Sequence, residues 1–136
     1  GFQSPNNAER EAKGYSSAWL HHKGRNKHHY EYWIDYSLKP RRCMAGMKMP
    51  LKYVNEMIMD RIAASKVYER KKYTQHSPLA YYEQGKGTYL IHEETRALLE
   101  YILHMLDEKG EEKTFRYMKR YMIGKKTYPK IKYSKK

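Results

Sequence analysis

Four of the seven histidines in this 136-residue chain, His21, His22, His28 and His29, fall within nine positions between Trp19 and Trp33. Neutral imidazole offers a nitrogen lone pair and is a common metal ligand, so two pairs flanking a glycine-containing turn can converge on one point. Lys23, Arg25 and Lys27 lie between the pairs and would supply fixed positive charge for a phosphate. The same stretch also reads as exposed histidines in a basic turn that meets an acidic partner. A carboxylate adds to the first reading. Asp60 follows Met57 by three residues and precedes Ala64 by four, which places it on or beside an apolar helical face. A carboxylate drawn inward needs a cation, which is either Arg61 or a lysine in an ion pair, or a metal shared with the histidines. Glu31 and Asp35 are placed to orient a histidine from behind. His76, His92 and His104 read as structural, with His92 a cap for the helix that follows it.

The elements that must position these residues are helical. Pro50 suits a helix start, and Tyr53, Val54, Met57, Ile58, Ala64 and Val67 recur at three- and four-residue spacing, predicting a helix through about Tyr68. Ser77-Pro78 predicts a short helix toward Gly85. From Glu93, acids in a first turn precede a stripe of Ala97, Leu98, Tyr101, Ile102, Met105 and Leu106 that stops at Gly110. Another helix is expected from Glu111 to Ile123, with Phe115, Met118 and Met122 inward. Near the start, Ser4, Pro5 and Asn7 predict a helix running to His22, and the next is expected to begin near His28. Residues 37–50, with Pro40, Gly46 and Pro50, are expected to be an irregular connection.

Composition narrows the class. Val, Ile and Phe are scarce while Tyr numbers 15 and Met 8, so an all-β fold is disfavoured and an all-α one expected. The formal net charge of +13 favours phosphate-bearing partners, whether a phosphate-containing small molecule such as a nucleotide, nucleic acid or an anionic surface, and composition does not choose among these. Residues 113–136 carry 10 basic and no acidic side chains, so a boundary is placed near Gly124, with a solvated basic tail over 125–136. The single cysteine, Cys43, excludes an internal disulfide and a CxxC zinc site and fits a reducing, cytoplasmic setting. No apolar run approaches the roughly 20 residues that span a bilayer, and Gly1–Arg10 does not resemble a signal peptide. The absence of an initial Met suggests a trimmed start.

Several strings then look familiar: Ser-Pro-Asn-Asn-Ala-Glu-Arg-Glu at 4–11, the block from His21 to Trp33, Met-Lys-Met-Pro at 47–50, Asp-Arg-Ile-Ala-Ala-Ser at 60–65, and Glu-Lys-Gly-Glu-Glu-Lys-Thr-Phe-Arg-Tyr at 108–117. Together they resemble an uncharacterised bacterial and phage family, some of whose members carry the label catalase. No residue spacing here singles out a haem ligand. Members of that family carry an upstream His-Asp-Leu-Ser-Lys string similar to the metal motif of HD-domain phosphohydrolases. The resemblance implies a compact HD-like helical domain over residues 1–124, in which His21 or His22 and His28 or His29 match later metal-binding histidines and Asp60 matches the final Asp. It implies a divalent metal cofactor of unspecified identity, incompletely liganded without the upstream ligands. The implied activity is metal-dependent hydrolysis of a nucleotide or related phosphoester, with Lys23, Arg25, Lys27 and Arg61 neutralising phosphate charge. The competing class is a protein without catalysis that binds nucleic acid or a regulatory partner, suggested by Tyr117, Tyr121, Tyr128 and Tyr133 interleaved with lysines.

Overall fold

Pro50 has no amide hydrogen to lose, and its carbonyl accepts from the amides of Tyr53 (2.9 Å) and Val54 (3.2 Å), which starts helix α1 (Leu51–Glu69). The computed structural model describes residues 27–37 and 43–131. After α1 come a 3-10 turn at Arg70–Lys72, helix α2 (Ser77–Gly85), a second 3-10 turn at Lys86–Thr88, helix α3 (Glu93–Lys109) and helix α4 (Glu111–Tyr121). Before α1 lie a 3-10 turn at Tyr30–Trp33 and a two-stranded antiparallel hairpin, β1 (Ile34–Ser37) and β2 (Cys43–Gly46). The architecture is all-α apart from this hairpin.

The core is the meeting of two stripes. α1 contributes Leu51, Val54, Met57, Ile58 and Ile62, and α3 contributes Leu98, Leu99, Ile102, Leu103 and Leu106. Tyr82 from α2, Met118 from α4, Met122 beyond it, and Met49 and Ile91 just before α1 and α3 close the rest. Burying side chains of this size stabilises by roughly 1.5–3 kcal/mol each relative to exposure, which is why period-3.6 patterning dictates the fold. His92 caps α3 as expected, its Nδ1 accepting from the amide of Glu94 at 3.2 Å, and Glu93 and Glu94 sit where the helix dipole favours acids. At the other end Gly110, at φ 87°, ends α3 and opens α4 in one residue.

Three sequence expectations change here. No helix begins near His28, because Tyr30–Trp33 forms a single 3-10 turn leading into β1. The connection over 37–50 is not wholly irregular: Ile34 pairs with Gly46 and Ser37 with Cys43. Gly46 is required by close packing, since a Cβ there would lie 2.5 Å from the amide nitrogen of His92 and 2.7 Å from the carbonyl oxygen of Leu90. The basic tail is solvated at Lys125, Lys126 and Lys130, but Tyr128 and Ile131 pack against the core. The Met49 amide donates to the Thr95 hydroxyl at 3.2 Å, that hydroxyl lies 2.7 Å from the Tyr128 oxygen, and Tyr128 donates to the Met49 carbonyl. With one proton on each hydroxyl, the three bonds close a ring. Burial pushes the Tyr128 phenol up to about 12.

Candidate metal and phosphate site

The turn bearing His28 and His29 is fastened on both sides. Trp33 donates from its indole nitrogen to the Lys27 carbonyl at 2.8 Å, and its own carbonyl accepts from the Met47 amide at 2.5 Å. The Trp33 ring lies 5.9 Å from that of Tyr53 on α1, and the Tyr30 ring meets Tyr89 edge-on at 5.4 Å. These contacts hold the histidine turn against the outer side of α1, where Asp60 stands.

The result is a three-residue cluster. One ligand-type atom from each of His28, His29 and Asp60 lies within 4.8 Å of the others. His28 Nε2 is 3.8 Å from Asp60 Oδ2, and the two imidazoles stack with centroids 4.8 Å apart. The site opens to solvent, with side-chain exposure of 27% at His28 and 53% at Asp60. Behind it, His29 Nδ1 lies 3.9 Å from Glu31 Oε2. Burial and a hydrogen bond to Glu31 raise the neighbouring Tyr30 phenol to about 12.

Beside the cluster, the Arg61 guanidinium rests on an aromatic wall, 5.0 Å from the Tyr89 ring centre and 5.6 Å from that of Tyr82. Those rings are stacked 5.5 Å apart. Tyr82 donates to Glu100 at 2.6 Å, while Arg96 donates to the Tyr82 hydroxyl at 3.2 Å and to the Tyr89 carbonyl. Burial, reinforced by that Glu100 acceptor, pushes the Tyr82 phenol well above the usual range. Lys27, next to His28 in the chain, holds its ammonium 5.9 Å from the Tyr53 ring centre.

The arrangement differs from the sequence reading at Asp60, which is exposed rather than drawn inward. The buried side of α1 is centred on Ile58 and Ile62, and Asp60, two residues from each, is about 160° round the helix from both. Ala64, Val67 and Tyr68 are exposed for related reasons. His21, His22, Lys23 and Arg25 lie outside the described residues, and the side chain of Asp35 is likewise not described. His76, read from sequence as a bland loop residue, makes a close pair with Asp107, Nδ1 to Oδ1 at 2.6 Å. Thirty-one residues separate the two, and no local motif announces the pair. His104 is exposed on α3.

Among the described residues, no helix is long and apolar enough to cross a membrane. A family model described as a family of unknown function (DUF5662) matches residues 2–105. No curated protein and no solved structure matches the chain.

Proposed function

The chain belongs to that family of unknown function, DUF5662, and from its own side chains we propose that it is a metal-dependent phosphohydrolase-like protein acting on a nucleotide or related phosphoester. The convergence of His28, His29 and Asp60 within 4.8 Å supports this reading most directly. Two imidazole nitrogens and one carboxylate oxygen form a donor set suited to a borderline divalent ion, with positions left over for water and substrate. Ligand atoms around a tetrahedral ion with bonds of about 2.1 Å stand roughly 3.4 Å apart, so the 3.8 Å between His28 and Asp60 is already near that value. His29 Nδ1 lies on the Glu31 side, 3.9 Å from Oε2, which leaves Nε2 as the nitrogen that would face the ion.

A divalent ion held there would supply Lewis-acid activation of water toward a phosphoester. The protein's part is positional and electrostatic. Arg61, which follows Asp60 in the chain and is held by its aromatic wall, and Lys27, which precedes His28, would neutralise phosphate charge. The exposed setting gives a substrate direct access.

The test is hydrolysis of bis(p-nitrophenyl) phosphate by tag-free protein with added Mn2+, Co2+ or Zn2+. Metal-dependent turnover abolished in Asp60→Ala and reduced at least tenfold in Arg61→Met is expected. Turnover indifferent to both substitutions would overturn the assignment.

A further inference from the structure

Two exposed tyrosines stand together at the junction of α1 and α2, offering ring faces on which another planar group can stack. Tyr68 is 77% exposed and Tyr81 54%, with ring centres 6.2 Å apart. They border a cavity of about 330 Å³, whose other walls include Glu69, His76, Ser77 and Gln84. That volume is at the lower end of small-ligand pockets, which run from about 300 to 1,000 Å³. Immediately after Tyr68 and Glu69 come three consecutive exposed cations, Arg70, Lys71 and Lys72. Arg70 has a φ of 53°, a conformation that costs a non-glycine residue free energy and here turns the basic triplet sharply away from the end of α1.

The nearby acids are largely engaged. Glu83 pairs with Lys86 at 3.0 Å, Glu111 with Lys66 at 2.8 Å, and Asp107 with His76 at 2.6 Å. Against the triplet stands Glu69 in the cleft wall, so three cations face one carboxylate and the local field is positive.

We propose that this cleft binds single-stranded nucleic acid, with a base stacked on the exposed faces of Tyr68 and Tyr81 and the adjoining phosphates on Arg70, Lys71 and Lys72. Stacking on tyrosine tolerates any base, and cations in sequence follow a backbone. Glu69 and Gln84 offer an acceptor and an amide to base edges, and His76, whose Nδ1 is paired with Asp107, is a further wall of the cleft. A duplex hides its base faces, so the tyrosines favour a single strand. The site requires no metal and is independent of the phosphohydrolase reading. The two are nevertheless close, because Tyr68 lies on the same helix as Asp60, about 12 Å further along its axis.

The experiment is fluorescence anisotropy of the full chain with labelled 15-nucleotide oligo(dT), oligo(U) and a matching duplex in EDTA, from 50 to 200 mM salt. Expected are tighter binding of single strands than of duplex, about tenfold weakening in Tyr68→Ala and in Tyr81→Ala, and near-parental affinity in Tyr68→Phe. Lys71→Ala with Lys72→Ala should reduce the slope of log affinity against log salt by about 1.4, from roughly 0.7 per lost phosphate contact. The dT and U arms distinguish DNA from RNA as the natural source. Because all four side chains are exposed, unchanged melting temperatures are expected and separate binding loss from unfolding. Duplex bound as tightly as single strand, tyrosine variants that bind like the parent, or no binding at low salt would each overturn the proposal.

Discussion

Replacing Tyr128 by Phe removes one oxygen from a closed ring of hydrogen bonds and leaves the ring's packing in place. The Thr95 hydroxyl, whose residue is 0% exposed, loses its acceptor, and the carbonyl of Met49, 1% exposed, loses its side-chain donor. An unsatisfied buried group costs about 1–3 kcal/mol, so the low end for two groups gives about 2 kcal/mol. At about 4 °C per kcal/mol for a chain of this size, the melting temperature should fall by about 8 °C. Differential scanning calorimetry at pH 7 measures it, with Tyr81→Phe, an exposed ring, as a control expected to shift by less than about 2 °C. Truncation to residues 1–124 removes the same oxygen together with the packing of Tyr128 and Ile131, and should cost at least as much. A Tyr128→Phe protein that melts within 2 °C of the parent would refute the view that the basic segment helps to hold the fold together.

Gly46→Ala should destabilise by about 1–3 kcal/mol, because the new Cβ meets backbone atoms of His92 and Leu90 and the hairpin must move away from the cap of α3; an unchanged denaturation midpoint would count against that contact. Stability should also fall in alkali. The phenols of Tyr30, Tyr73 and Tyr128 are pushed up to about 12 from 10, each chiefly by burial, and Tyr82 is raised further. A raised folded-state value favours the protonated form in the fold, so this contribution is complete below pH 10 and is lost as pH rises from 10 through 12. Tyrosinate absorbance followed beside far-ultraviolet circular dichroism checks it; all 15 tyrosines ionising near pH 10 with the helices intact would contradict it.

The four helices were legible because each carries its own signal: Pro50 before α1, Ser77-Pro78 at α2, and Gly110 between α3 and α4. The hairpin was not. Cys43-Met44-Ala45-Gly46 contains no β-branched residue, and its pairing comes from docking beside Ile91 and His92 rather than from propensity. Asp60 shows a half-success. Its spacing from Met57 suggested an inward side chain, yet the buried stripe is centred on Ile58 and Ile62 and turns it outward. It meets His28 all the same, because Trp33 and Tyr30 bring the histidine turn over the outer side of α1, a tertiary arrangement that periodicity cannot express. Tyr128 was hidden by the lysines around it, since a like-charge run masks an aromatic that finds a polar partner inside. His76 and Asp107, and the cleft beside Tyr68 and Tyr81, likewise depend on contacts between α1, α2 and α3 that no short string contains.

Calorimetric titration of tag-free protein with Zn2+ and Mn2+ reads out whether His28, His29 and Asp60 form one cation site. About one ion per chain is predicted at this site. His28→Ala and Asp60→Ala should each weaken its affinity at least tenfold while the circular dichroism stays unchanged, since both side chains are partly exposed and neither belongs to the core. Metal binding of the same stoichiometry and affinity in Asp60→Ala, or none in the parent protein, would contradict it.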